Sequence, residues 1–173
     1  MKFMIHLTDE DYIRFNIFYS KHSKAGKRAV NLARIAFPVL SLAVLTVFFS
    51  AGAEYGKIAV NAILLTAVSF LWFFYVPKII EKSIRKNINK MKADGKLPFH
   101  EHAQIEFQDD KIVEKNDQEE VRVKYTDIEQ ICPTNEYLYI FYSAVQAFII
   151  PYHCLGADKE ALLAYVTQKK KTK

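Results

Sequence analysis

Residues 35–76 read IAFPVLSLAVLTVFFSAGA, then EYGK, then IAVNAILLTAVSFLWFFYV. Ile35–Ala53 holds no charged residue in nineteen positions, and Ile58–Val76 holds none in another nineteen. As an α-helix each run is about 28 Å long, close to the hydrocarbon thickness of a bilayer. Glu54, Tyr55, Gly56 and Lys57 leave room only for a tight polar turn. The pattern therefore predicts two antiparallel helices that span a membrane.

Within the runs, Pro38 falls in the predicted opening turn of the first span, where a missing N–H costs little. Ala62, Thr66 and Ser69 form a stripe of small side chains suited to close helix–helix packing. No acid, Lys, Arg or His lies inside either run, which argues against a proton relay or a charged transport path.

The ends of the runs carry the orientation. Lys21, Lys24, Lys27, Arg28 and Arg34 precede the first; Lys78, Lys82, Arg85, Lys86 and Lys90 follow the second. The turn offers only Lys57. Cations concentrate on the cytoplasmic side, so both termini are expected there, in a two-pass protein of the bacterial inner membrane. Arg34, Trp72, Tyr75, Lys78, Lys82, Arg85 and Lys86 are the expected anchors at the headgroup boundary. A cleaved signal peptide is not expected, because the first apolar run starts late and is too long for one. Cys132 and Cys154, on the cytosolic side, are expected to stay reduced.

The flanks read differently. Lys2–Leu7 alternates like a strand, and Thr8 caps a helix expected to run to about His22, with Asp9, Glu10 and Asp11 in its first turn. Tyr12, Phe15, Phe18 and Tyr19 line one face of it, for packing or, as the less favoured choice, for the lipid interface. Gly26 marks slack before the membrane. Beyond Pro77 the second span continues through Ile80, Ile84, Ile88 and Met91 until Asp94-Gly95 stops it, with Pro98 just beyond. From His102 the period becomes two, predicting strands at about 102–108, 111–116, 120–126, 128–132, 136–143 and 146–152. Asp158 then caps a last helix with Leu162, Leu163 and Val166 on one side, ahead of a solvated tail at Lys169–Lys173.

Three segments follow: 1–28, a strand and amphipathic helix; 29–96, the hairpin (about 35–53 and 58–76) with a basic juxtamembrane helix; and 97–173, a cytoplasmic β-rich domain. Six strands and a helix are one strand short of a pleckstrin-homology-like (PH-like) barrel. The Lys2–Leu7 strand, which needs a partner for its edge, is a candidate seventh. The expected class is an α+β membrane protein: a two-helix hairpin plus a small PH-like antiparallel barrel or sandwich with a C-terminal helix.

Charge narrows the partners. Residues 97–168 carry thirteen acids against five bases, while Lys78–Lys96 carries seven bases against two acids. The chain's net charge of +5 is thus a basic membrane rim plus an acidic domain, and nucleic acid would be repelled by that domain. His100 and His102 share a strand face but lack further metal ligands. His153 and Cys154 are adjacent and point apart, a poor nucleophile pair, and Cys132 reads as a small core residue. The acids Asp109, Asp110, Glu114, Asp117, Glu119 and Glu120 cluster on two turns, where solubility is the usual role of such charge. Tyr137, Tyr139 and Tyr142 resemble a stacking platform in composition only. No catalytic residue, metal site or cofactor is expected.

The chain resembles the YcxB-like family of small bacterial membrane proteins. The resemblance is carried by Thr8-Asp9-Glu10-Asp11-Tyr12, Tyr19-Ser20-Lys21-His22 and the hairpin in the first half. It continues in Phe107-Gln108-Asp109-Asp110-Lys111-Ile112, Tyr125-Thr126-Asp127-Ile128, and Ala147-Phe148-Ile149-Ile150-Pro151 before a final helix. It implies a membrane protein with a cytoplasmic C-terminal domain and no established catalytic residues. The expected function is a non-enzymatic binding or regulatory module held at the bilayer, with a protein partner or a second copy of itself. The alternative is an accessory subunit of a transporter or membrane enzyme, docking through Ala62, Thr66 and Ser69.

Overall fold

A computed structural model describes residues 1–52, 54–96 and 99–171. The expectations for Ala53, for Pro98 and for the last two residues of the tail lie outside these. The order of elements is β1 (Lys2–His6), α1 (Asp9–His22), α2 (Lys24–Ser50), α3 (Tyr55–Ala93), β2 (His102–Phe107), β3 (Lys111–Lys115), β4 (Glu120–Lys124), β5 (Gln130–Pro133), β6 (Tyr137–Phe141), β7 (Ala147–Pro151) and α4 (Lys159–Lys171). The chain divides into two compact units: Met1–Phe15 with Ile88–Lys173, and Asn16–Asn87.

In the first unit the N-terminal strand finds its partner. β1 runs antiparallel to β2, with Phe3 opposite Ile105 and Ile5 opposite Ala103. β2 pairs with β3 and β3 with β4, giving one sheet of four strands. A 3-10 turn at Tyr125–Asp127 interrupts the chain, and β5, β6 and β7 form a separate antiparallel sheet of three. The two sheets do not close into a barrel, so of the expected barrel or sandwich the barrel is corrected to two open sheets. The break is local: the Tyr125 N–H still bonds to the Asp110 carbonyl beside the first sheet, the Ile128 N–H closes the turn on Tyr125, and the Glu129 N–H already bonds to Phe141 of β6, so β4 has no ladder to β5. Alternation along each strand points Ile5, Ile105, Phe107, Ile112 and Val123 inward, all buried. Leu138, Ile140, Phe148 and Ile150 answer from the second sheet, and Leu162 and Val166 of α4 complete the core. Tyr165 fixes α4 by donating its hydroxyl to the Gln108 carbonyl at 3.0 Å. The expected solvated tail is also corrected. Lys169, Lys170 and Lys171 form the last turn of α4, and Lys170 Nζ donates to the Glu129 carbonyl at 2.6 Å.

Thr8 does cap α1. Its N–H and hydroxyl both donate to Asp11 Oδ2 at 2.7 Å, while the Asp11 N–H donates back to Thr8 Oγ1 at 3.3 Å. Phe15 is buried against Tyr139 and Phe141, at 5.5 and 5.9 Å between ring centroids. Packing, rather than a lipid surface, is what that side chain serves.

The second unit is helical. α2 begins at Lys24, eleven residues before the apolar run, so Pro38 lies inside the helix rather than in its opening turn. Apolarity marks where lipid would be, but the helix needs only residues that tolerate helical backbone, and residues 24–34 do. Gly26 is not slack either. It sits in the first turn of α2, where its N–H donates to Ser23 Oγ at 2.8 Å. A Cβ there would lie 2.5 Å from the Ser20 carbonyl oxygen, so only glycine permits this elbow between α1 and α2. α3 runs unbroken through Pro77 to Ala93. Gly95 then adopts φ +66° and Lys96 N–H reaches back to the Met91 carbonyl at 2.8 Å, a left-handed helix stop.

Two facing stripes recur along these helices. Val30, Ala33, Phe37, Ser41 and Leu45 of α2, and Ile58, Ala62, Leu65, Ser69, Trp72 and Val76 of α3, are at least half-buried. Elsewhere the apolar surface is bare: only 6% of the most apolar window of α2, and 0% of that of α3, is buried.

Candidate functional site

The inward face of the four-stranded sheet contains one charged residue. Glu114 stands opposite Ile105 on β2 and Val121 on β4, in the same row as Ile112. It is thus not a hairpin-tip acid, the position expected from sequence. β3 places it at the mouth of the gap left by the unclosed sheets, a cleft of about 350 Å³. Tyr12 of α1 and Phe99 form one wall, stacked at 4.8 Å; Tyr142, beside the end of β6, forms another. Glu119 and His100 stand at the rim, with His100 Nε2 3.9 Å from Glu119 Oε1.

The electrostatics are those of a carboxyl without a counter-ion. Half-buried Glu114 makes no hydrogen bond or ion pair among the described residues. Its burial, with the charge of Glu119 added, pushes its pKa up to about 7. Tyr142 is raised by burial and then by both glutamates. Near neutral pH the site thus alternates between an acceptor and a donor. Lined by aromatic rings, it suits a ligand that brings hydrogen-bond donors or positive charge. Serine, cysteine and lysine are absent from the described residues that line it.

A second polar cluster fastens α1 to the three-stranded sheet. The Tyr137 hydroxyl donates to Asp11 Oδ1 at 2.7 Å, and Asp11 is only 5% exposed. Burial alone would raise the Asp11 pKa, but the bonds from Tyr137 and Thr8, with His153 nearby, bring it below its ordinary value. Arg14 pairs with Glu136 beside it. Tyr137 and Tyr139 are buried and stack on each other at 5.5 Å, so they are core and not a stacking platform.

The structure separates the histidines grouped in the sequence. His102 opens β2 and stacks on His6 of β1, with the two Nδ1 atoms 3.2 Å apart, whereas His100 belongs to the cleft. The cross-strand pair was invisible in sequence because it spans 96 positions. Glu114 was legible, since it shares the parity of Ile112, the one other residue of that parity in β3. Cys132 and Cys154 are free and half-buried.

In the helical unit Trp72 Nε1 donates to the Ala33 carbonyl at 2.9 Å and its ring lies 5.6 Å from Phe37. The Arg34 guanidinium covers the Phe73 ring at 4.8 Å, and Lys78 Nζ lies 5.6 Å from the Tyr75 ring. Lys78, Lys82 and Lys86 are exposed at successive four-residue steps, with Arg85 half-buried. Of the small-residue stripe, Ala62 and Ser69 are half-buried in the row that contains Trp72, while Thr66 is exposed.

The family model described as YcxB-like protein matches residues 107–167, from the last residue of β2 into α4. The resemblance expected from sequence is therefore shown over this stretch, which includes Glu114 and Tyr142 but neither long helix. No curated protein and no solved structure matches the chain.

Proposed function

We propose that this chain, YcxB-like over residues 107–167, is a non-enzymatic binding module tethered to the bacterial inner membrane by α2 and α3. The observation that carries this reading is the apolar surface of the two helices, of whose most apolar windows only 6% and 0% is fully buried. Water would not tolerate so large an exposed patch, and a bilayer would cover it. The cations at one end of the pair, against Lys57 alone at the other, support a cytoplasmic location for both termini. We take the α+β unit as a PH-like variant whose sheets stay apart, and its cleft as the place where a ligand or partner segment binds. The shape and chemistry of the cleft support holding a ligand, since it pairs a carboxyl acceptor with aromatic walls.

Alkaline carbonate washing of vesicles should leave the full-length protein in the pellet. External protease on intact cells should spare the C-terminal half. Release by carbonate, or external digestion of residues 99–171, would overturn the reading.

A second reading, an accessory subunit, is favoured by one observation. Ala62, Ile63, Thr66, Ala67, Phe70 and Leu71 form a shallow apolar depression on α3, with Thr66 at the exposed side. Under it, Thr66→Leu should abolish co-purification of a membrane partner found by crosslinking; under the first reading it should change nothing.

A further inference from the structure

At the basic end of the helical unit lies a cavity of about 230 Å³ whose polar lining is cationic. Lys27, Asn31 and Arg34 project from α2 at spacings of four and three, on one face of the helix. Lys21 of α1 joins them, its charge shared with Glu81 at 3.5 Å. Ser20 contributes no donor, because its hydroxyl is already given to the Ile17 carbonyl at 2.8 Å. The elbow at Gly26 fixes this geometry, since α1 and α2 approach there too closely for any Cβ. No acid lines the cavity among the described residues.

Arg34 supplies a second and independent observation. Its Nε is buried and meets no acceptor among the described residues. The guanidinium face is occupied by the Phe73 ring, which leaves the N–H edge as its remaining valence. A buried donor without an acceptor is costly, and planar guanidinium edges pair with phosphate oxygens. Pro77 and Ile80 form an apolar wall beside the cations, and beyond them the helices carry exposed apolar surface.

We infer that this cavity binds the phosphate group of an anionic phospholipid, with Arg34, Lys27 and Asn31 as donors. The inference rests on the membrane-tether reading and deepens it from a general attraction of basic rims to one seated headgroup. A zwitterionic headgroup would bring its ammonium against Lys21 and Lys27, so the cavity discriminates by net charge.

The test uses the delipidated full-length protein in mild detergent, titrated with phosphatidylglycerol and read by native mass spectrometry. One lipid should bind saturably, about tenfold more tightly than phosphatidylcholine, and Lys27→Gln and Arg34→Gln should each weaken it by roughly threefold to tenfold. Lys57→Gln, at the opposite end of the helices, should bind as the parent does. Arg34→Gln also removes the contact to Phe73 and risks misfolding; Lys27 is exposed and makes no such contact, so Lys27→Gln is the deciding variant. Equal binding of the two lipids, or parental binding by Lys27→Gln, would overturn the inference. Displacement by millimolar inorganic phosphate would keep a phosphate site but overturn its assignment to lipid. A protein that resists carbonate yet shows no such preference would refute the cavity and leave the tether standing.

Discussion

Asp11 joins the first turn of α1 to the three-stranded sheet, and its removal gives a quantitative test of the structure. Asp11→Ala deletes the acceptor of three hydrogen bonds, from the Tyr137 hydroxyl, the Thr8 N–H and the Thr8 hydroxyl, each at 2.7 Å. Bonds to a charged acceptor contribute about 1.5–3 kcal/mol apiece, and the helix-capping part overlaps with them. Because the three share one carboxylate they do not sum, and about 3 kcal/mol is the expected loss. That cost falls on the attachment of α1 to the three-stranded sheet. Amide hydrogen exchange on the full-length protein in detergent should then quicken roughly a hundredfold in α1 up to Phe15 and in β6. Tyr137→Phe should account for about 1–2 kcal/mol of this in a double-mutant cycle. The pH dependence has a definite sign. The folded pKa lies below the unfolded one, so the stabilisation is present above the unfolded value and fades as pH falls through the folded value. Between pH 5 and 8 it should be constant, with decay below about pH 4. Parental exchange rates in Asp11→Ala, or strict additivity with Tyr137→Phe, would refute the network.

Three further outcomes follow from the same structure. Glu114 has the opposite linkage: its pKa is raised to about 7, so stability is greatest below its unfolded value and falls as pH rises towards 7. Glu114→Gln should flatten that slope and stabilise the protein by about 1–2 kcal/mol at pH 8, read by chemical denaturation of the α+β unit in the full chain. Gly26→Ala should cost about 1–3 kcal/mol through overpacking on Ser20, seen as earlier thermal aggregation in detergent. Trp72→Phe keeps the ring against Phe37 but loses the bond to the Ala33 carbonyl, and should cost about 1 kcal/mol by the same assay.

The legible and the illegible parts of this chain divide along physical lines. Strands β2 to β7 were readable because alternation in runs such as Val121–Tyr125 is a local property that burial of one face enforces. β1 was readable as a strand for the same reason, and its need of a partner pointed to the β domain. Closure of the sheets was not readable, because it depends on whether residues 125–129 continue a ladder or turn away, and Tyr125-Thr126-Asp127 permits both. The start of α2 was missed because hydropathy reports the length of the apolar run and says nothing of helical backbone in Lys24–Arg34. Glu114 was misplaced through attention to its acidic neighbours rather than to its parity with Ile112. The cationic cavity was half legible. Arg34 and its neighbours were recognised as a basic rim, but the spacing of Lys27, Asn31 and Arg34 becomes a pocket only once Gly26 brings Ser20 and Lys21 alongside.

The pairing of Ile5 with Ala103 has a consequence for biosynthesis. The first strand leaves the ribosome 98 residues ahead of its partner, a wait of roughly 5–20 s at ordinary rates of elongation. Both long helices are made within that interval, so they emerge before the sheet can be completed. Until Ala103 emerges, the first strand has no partner, so this edge of the four-stranded sheet is made first and paired late.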